Sequence, residues 1–148
     1  MIDAQAGTQL GSLARGQIDG VDIARQVYAA RGRRAVSVHT HPHSSSFSPA
    51  DANLLSKARD VCAVVVVGAD GTWYLLSIEP GKALPADATI EGAYRITRQS
   101  LIPKYLALVQ SQAMTRARAW QEHSHEVWER IAPVLGLRYD RIEVKRKK

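Results

Sequence analysis

The pattern of apolar and polar positions predicts alternating strands and helices in the first half of the chain. The segment AVSVHT from residue 35 is short and rich in β-branched residues, which favours a strand. The segment VCAVVVV from residue 61 is apolar throughout, which indicates a strand buried in a sheet. In GADGTWYLLSIE, Asp70 and Gly71 predict a hairpin turn that leads into a further strand.

Two helices are predicted between these strands, and the N-terminus adds a strand. Apolar residues in DGVDIARQVYAARGRR recur with helical spacing from residue 19 to about Gly32. SPADANLLSKARD begins with Ser48 as a helix N-cap, Pro49 in the first turn and Asp51 three residues after the cap. MIDAQAGTQLGSLAR predicts a strand end, a turn at residues 6–7 and a second short strand. The order of elements predicts an α/β (α+β) fold in which helices pack on a mixed sheet.

The second half of the chain has a helical pattern. Apolar residues recur at steps of three or four from about Ala93 to Ala132, and Pro103 is expected to kink or split this region. PVLGLRYDRIEV predicts a loop that leads into a last short strand. We therefore expect a core at residues 1–85 and a helical C-terminal extension with a basic tail at residues 86–148. The extension either caps the core or binds a helix of a protein partner.

Charge does not by itself indicate a nucleic-acid partner. The 148 residues carry a formal net charge of +6, and part of this excess lies in the terminal KRKK. Basic residues are not interleaved with aromatic ones, so a solvated tail is the favoured interpretation. A nucleic-acid-binding function would require a steep loss of binding with added salt.

The cysteine count, the apolar runs and the N-terminal sequence indicate where in the cell the protein is expected. The single cysteine, Cys62, excludes an intramolecular disulfide and suits a reducing environment. No apolar run approaches the roughly 18 residues of a membrane span, and the N-terminus lacks the pattern of a signal peptide. We expect a cytoplasmic protein that does not bind membranes.

The segment VHTHPHSSSFSPAD, residues 38–51, contains the candidate chemistry. Alternation along a strand places His39 and His41 on the same face. Asp51, in the first turn of the next helix, can turn back over the strand end. Two imidazoles and one carboxylate are three ligands for Zn²⁺, which leaves the fourth position for water, as in a catalytic zinc site.

Helix capping is the alternative explanation for part of this segment. Ser48 and Asp51 resemble a capping box, which needs no metal, and taken alone they favour capping. Taken with the histidine pair, they favour the metal site, with Ser48 close to the reacting water or the oxyanion. His43 is expected to be a loop residue.

The motif His39-x-His41-Pro42…Ser48-x-x-Asp51 resembles the metal-binding motif of the JAMM/MPN+ (JAB) zinc metalloproteases, over roughly residues 1–80. The resemblance implies a JAB/MPN-like fold with cytidine deaminase-like layering. It also implies zinc ligation by His39, His41 and Asp51, with Ser48 assisting the water and the oxyanion. The implied function is that of a zinc-dependent peptidase or isopeptidase, of the prokaryotic type associated with phages or toxins, acting on a peptide or isopeptide substrate. Six residues separate His41 from Ser48, one fewer than is commonest in the family.

The second departure from the family concerns the general base. The resemblance implies a glutamate on a strand before the histidines, but the first glutamate here is Glu79, and the earlier acids are Asp3, Asp19 and Asp22. We therefore expect either that the catalytic glutamate lies on sequence before Met1, or that the domain binds metal without turnover. The alternative function is a non-catalytic binding or structural module of the same fold, for example in phage assembly.

A second histidine-rich segment, QEHSHE, is not expected to bind metal. On a helix, His123 and His125 lie about 200° apart and cannot share one ligand face.

Overall fold

A computed structural model describes residues 1–14 and 22–144, in which four helices accompany a five-stranded mixed sheet. The α/β class expected from the sequence is thus confirmed. In chain order the described elements are β1 (Ile2–Asp3), α1 (Ala24–Ala29), β2 (Ala35–His41), α2 (Pro49–Lys57), β3 (Val61–Gly68), β4 (Trp73–Ile78), α3 (Asp87–Gln110), α4 (Arg116–Ile131) and β5 (Leu137–Ile142).

The strands lie side by side in the order β1-β2-β3-β4-β5. The β2–β3 pair is parallel and is joined by α2, whereas the other three pairs are antiparallel. A parallel pair needs such a crossover, because the chain must return to the same end of the sheet. The crossover places the start of α2 beside the carboxyl end of β2.

One face of the sheet packs against α2 and α4, and α3 packs on those two helices. Val64 and Val66 of β3 face Leu76 and Tyr74 of β4, and all four side chains are fully buried on this face. They belong to a cluster that also contains Trp128 and other helix residues. We call this side of the sheet the helix face and the opposite side the outer face.

The strands and hairpins predicted from the pattern are present. The AVSVHT strand continues through His41, VCAVVVV forms β3, and Gly71 lies in the turn between β3 and β4 with a positive φ of 88°. At the N-terminus the chain reverses as predicted, since Ile2 pairs with Gln9, but the predicted second short strand is reduced to this single bridge. The last predicted strand is β5.

The helices differ from the sequence pattern in their bounds. α1 covers Ala24–Ala29 and is shorter than predicted, although the early part of the predicted helix, up to Val21, lies outside the described residues. α3 begins at Asp87 rather than near Ala93. The predicted tail KRKK also lies outside the described residues.

The prediction that Pro103 splits the helical region is wrong. Pro103 lies inside α3, which continues to Gln110, and the chain leaves the helix after that residue. Pro103 removes the N–H that would bond the carbonyl of Gln99. Both residues are exposed, so water can satisfy that carbonyl and the helix continues.

Residues on both sides of position 85 contribute to the same buried cluster. Phe47 packs edge-on against Trp128, with ring centroids 6.0 Å apart, and β5 completes the sheet by pairing with β4. The division of the chain at residue 85 stays a prediction. No helix in residues 1–14 or 22–144 is long and apolar enough to cross a membrane.

Candidate metal centre

Three side chains converge where β2 ends and α2 begins. His39 and His41 lie on the helix face of β2, and Asp51 is the third residue of α2. The two Nε2 atoms lie 3.2 Å apart. Oδ1 of Asp51 lies 3.0 Å from Nε2 of His39, and Oδ2 lies 3.6 Å from Nε2 of His41. This cluster could hold a metal ion.

The separation of these atoms fits a small tetrahedral ion. Two nitrogen ligands at about 2.05 Å from a tetrahedral Zn²⁺ lie roughly 3.3 Å apart, close to the 3.2 Å between the imidazoles. The side chains are between 19% and 27% exposed, so the site is neither sealed nor fully solvated. An ion held here would have access to solvent for a fourth ligand.

His41 is held in one tautomer by the loop that follows it. Its Nδ1 lies 3.0 Å from the backbone carbonyl oxygens of both Ser45 and Ser46. Carbonyl oxygens only accept hydrogen bonds, so Nδ1 must carry the ring proton. Nε2 of neutral His41 therefore presents its lone pair to the cluster, which is the arrangement that metal-ligating histidines adopt.

Asp51 takes part in helix capping and in the cluster at the same time. Its Oδ2 accepts hydrogen bonds from the backbone N–H of Ser48 at 2.7 Å and from the Ser48 hydroxyl at 2.8 Å. The N–H of Asp51 donates to the Ser48 Oγ at 3.3 Å, so the predicted cap at Ser48 is confirmed. The two explanations of this segment are therefore compatible, because the cap holds Oδ2 while Oδ1 lies against His39.

Electrostatics favour the ionised form of Asp51. Burial raises the pKa of its carboxyl, but hydrogen bonds and charge from His39, together with hydrogen bonds from Ser48, outweigh burial. The net effect is a pKa below the ordinary value, so this carboxylate stays anionic and available as a ligand.

Helix α4 supports the loop between the ligands. The hydroxyl of Ser124 accepts a hydrogen bond from the backbone N–H of Ser46 at 2.9 Å. The indole N–H of Trp128 donates to the carbonyl of Phe47 at 2.7 Å. Sequence reasoning missed these residues, since the helical spacing shows only that they lie one turn apart and not what they contact.

The hairpin between β3 and β4 supports the same loop. The hydroxyl of Tyr74 donates to the carbonyl of Ser44 at 3.0 Å, and the N–H of Asp70 donates to the Ser44 hydroxyl at 3.1 Å. His43 is exposed in this loop and is not a member of the cluster. The loop that holds His41 is therefore tied to two other parts of the fold.

Of the early acids, Asp3 and Asp22 do not belong to the metal cluster. Asp3 pairs with Ala35 at the far end of β2, and its Oδ1 accepts the N–H groups of Gln5 and Ala6 at 2.9 Å each. These two hydrogen bonds lower the pKa of Asp3. Asp22 accepts the N–H of Ala24 at the start of α1, and Asp19 lies outside the described residues.

No described glutamate bonds to the ligands, although Glu91 accepts a hydrogen bond at 3.2 Å from the side-chain amide of Asn53, two residues after Asp51. Glu79 follows β4 at the end where that strand pairs with the start of β5. Among residues 1–14 and 22–144, no glutamate forms a hydrogen bond or an ion pair with His39, His41 or Asp51.

His123 and His125 have different partners. Nε2 of His123 lies 2.9 Å from the carbonyl of Arg98, and Nδ1 of His125 lies 2.8 Å from the hydroxyl of Tyr139. Burial and the charge of Arg141 lower the pKa of His125, which favours its neutral form.

Comparison with protein-family models, curated proteins and solved structures finds no match to this chain. The resemblance to JAMM proteases therefore stays a prediction from the sequence motif.

Proposed function

We propose that His39, His41 and Asp51 form the zinc site of a metallopeptidase or isopeptidase of the JAMM type. The observation that carries the proposal is the convergence of two Nε2 atoms and one carboxylate at 3.0–3.6 Å, with the tautomer of His41 set by its loop. Nitrogen and oxygen donors in this number are typical of catalytic zinc sites. When bound, zinc lowers the pKa of a coordinated water and polarises a carbonyl group.

The proposal extends to the layering of the fold. The resemblance implies that the motif spans a strand, a loop and a helix in that order. β2, the loop after His41 and α2 follow in that order here, which supports the assignment.

Ser48 has two tasks under this proposal. Its hydroxyl holds Oδ2 of Asp51, which orients the ligand. The resemblance to JAMM proteases also implies that Ser48 assists the reacting water and the oxyanion. The hydroxyl has a single proton, which it donates to Oδ2, and one of its lone pairs accepts the N–H of Asp51. It can therefore hold the water through its remaining lone pair, and it can donate to the oxyanion only after it releases Oδ2.

Hydrolysis also requires a general base, and the register of β1 indicates where one would fit. β1 runs antiparallel to β2, with Ile2 opposite Val36. A residue two positions before Met1 in the same register would lie opposite His39 and on the same face. A glutamate at that position would be directed towards the metal ligands.

A second candidate function is a zinc-binding module without turnover, for example a structural component in phage assembly. The observation that favours it is that no described glutamate forms a hydrogen bond or an ion pair with the three ligands. General acid–base catalysis is worth about 10² to 10⁴ in rate, so its loss would leave binding intact and hydrolysis slow.

Metal analysis combined with peptidase assays tests the proposal. We expect about one zinc per chain, with affinity at least tenfold lower after His39→Gln or His41→Gln. His43→Gln is the matched control, because His43 is exposed in the same loop. Protein that contains no zinc and takes none up would contradict both candidate functions. Hydrolysis of quenched-fluorescence peptide and isopeptide libraries separates the enzyme from the non-catalytic module.

A further inference from the structure

The outer face of the sheet is apolar across four neighbouring strands. Facing residues of paired strands project to the same side, so the register identifies the members of this face. Val38 pairs with Val65, Val65 with Leu75, Val67 with Trp73, and Trp73 with Ile142. The outer face is therefore a continuous apolar surface, whose main members are Val38, Val65, Val67, Trp73, Leu75 and Ile142.

No described helix covers this surface. The buried clusters contain residues of the helix face, and none of the six residues of the outer face belongs to them. Exposure is 37% at Val38, 47% at Trp73 and 60% at Ile142, and it falls to 9% at Val65 in the middle of the face. Exposed apolar surfaces of this continuity mark interaction sites in soluble proteins.

The sequence of β3 supports the same conclusion. A strand with one solvated face alternates apolar and polar residues, whereas one covered on both faces is apolar throughout. β3 reads VCAVVVVG, and its outward residues are as apolar as its inward ones. This strand therefore has the composition of one that is buried on both sides.

Charge on the outer face is balanced. Within the described strands its charged residues are Arg138 and Asp140 of β5, whose side chains pair at 3.0 Å. An approaching surface therefore meets apolar side chains and no net charge, which excludes selection of a strongly acidic or basic partner.

We propose that the outer face is the interface of a homodimer, in which a second copy of this chain packs sheet against sheet. Strands lie about 4.8 Å apart and rise about 3.3 Å per residue, so the face measures roughly 20 Å by 20 Å. A single helix is about 10 Å wide and would leave about half of it exposed. A second sheet of the same size covers all of it, and sheets pack in this way about 10 Å apart.

A two-fold axis through the outer face would bring the same residues of both copies together. The cluster of His39, His41 and Asp51 lies on the helix face, so both metal centres would remain accessible. The face covers about 400 Å² per copy, which is small for a specific interface, so a weak and reversible dimer is expected.

Sedimentation equilibrium of the metal-free and zinc-loaded full chain, from about 1 µM to about 300 µM, tests the proposal. We expect a reversible monomer–dimer equilibrium in both preparations. Trp73→Lys should weaken dimerisation at least tenfold, because it places a charge in an apolar interface. Ile142→Lys is a second, independent variant at the residue that pairs with Trp73. Both side chains are exposed, and circular dichroism melting confirms that each variant is folded.

Leu106→Lys is the matched control, because Leu106 is an apolar residue of α3 with a similar exposure of 52%. The dimer dissociation constant of Leu106→Lys protein should equal that of the unchanged chain. A chain that stays monomeric over the whole range overturns the proposal. So does a dimer that is weakened by Leu106→Lys but not by folded Trp73→Lys or Ile142→Lys protein.

Discussion

The side-chain hydroxyl of Ser124 accepts a hydrogen bond from the backbone N–H of Ser46, and both residues are buried. The carbonyl of the same Ser46 lies 3.0 Å from Nδ1 of His41. Helix α4 therefore supports a metal-ligand candidate through a single intervening residue. The candidate metal ligands lie within 13 residues of the sequence, but their loop is bonded to a helix near the other end of the chain.

Ser124→Ala is predicted to weaken zinc binding about tenfold, within the range seen when residues that orient metal ligands are changed. The substitution leaves the buried N–H of Ser46 without its acceptor and loosens the loop around His41. Competition titration with a chromogenic chelator measures the affinity. Ser100→Ala is the control, because its hydroxyl is exposed and bonds within its own helix. An unchanged affinity in folded Ser124→Ala protein would show that α4 does not orient the ligand.

Asp51→Asn is predicted to lower zinc affinity at least tenfold, about 1.4 kcal/mol, because the anionic ligand is lost. Asparagine still offers an oxygen to the N–H of Ser48, so the free energy of unfolding of metal-free protein should fall by about 1 kcal/mol or less. Isothermal titration measures the zinc affinity, and urea unfolding measures the free energy of unfolding of the metal-free protein. Asp87→Asn makes the same change in the first turn of α3 and should leave zinc affinity unaltered. A loss of stability without a loss of affinity would reduce Asp51 to a capping residue.

The 148-residue chain is predicted to bind zinc and to hydrolyse peptide or isopeptide libraries poorly or not at all. A four-residue N-terminal extension with glutamate two positions before Met1 should raise the rate by about 10² to 10⁴, because it places a general base on the face of His39. Glutamate one position before Met1 is the control, since it projects to the outer face. Strong zinc-dependent hydrolysis by the chain without an extension would show that another of its residues, Asp3 first among the candidates, accepts the proton.

Glu126 is predicted to make stability depend on pH in the acid range. Burial raises the pKa of its carboxyl, but hydrogen bonds from Lys104, Tyr105 and Arg130 outweigh it and lower the pKa from 4.5 to about 2. A carboxyl with a lowered pKa stabilises the fold above its unfolded-state pKa, and this contribution is lost as the pH falls towards about 2.

Glu126→Gln should therefore lower the free energy of unfolding at pH 7 by about 1–3 kcal/mol. The difference from the unchanged chain should shrink as the pH falls below about 4.5. Urea unfolding between pH 7 and pH 3 measures this difference in the free energy of unfolding. Glu129→Gln is the control, because Glu129 is an exposed residue of the same helix. A difference that is the same at pH 7 and at pH 3 would argue against stabilisation by the ionised carboxyl.

The sequence alone determined the features that depend on neighbouring residues. Alternation in β2 placed His39 and His41 on one face, and the spacing of Ser48 and Asp51 predicted the helix cap. These features follow from the backbone geometry of a strand and of a helix start, which acts over a few residues. The three ligand candidates could therefore be chosen before the tertiary structure was known.

Only the tertiary structure decided how distant segments meet. It placed Ser124 against Ser46, 78 residues away. It showed that α3 continues through Pro103, and it left Trp73 exposed on a sheet face that no described helix covers. Apolar periodicity predicts that a side chain packs against other apolar side chains, but it does not identify the helix or strand to which they belong. That choice arises from packing many segments at once, since each contact gains free energy only when the elements on both sides are already in place.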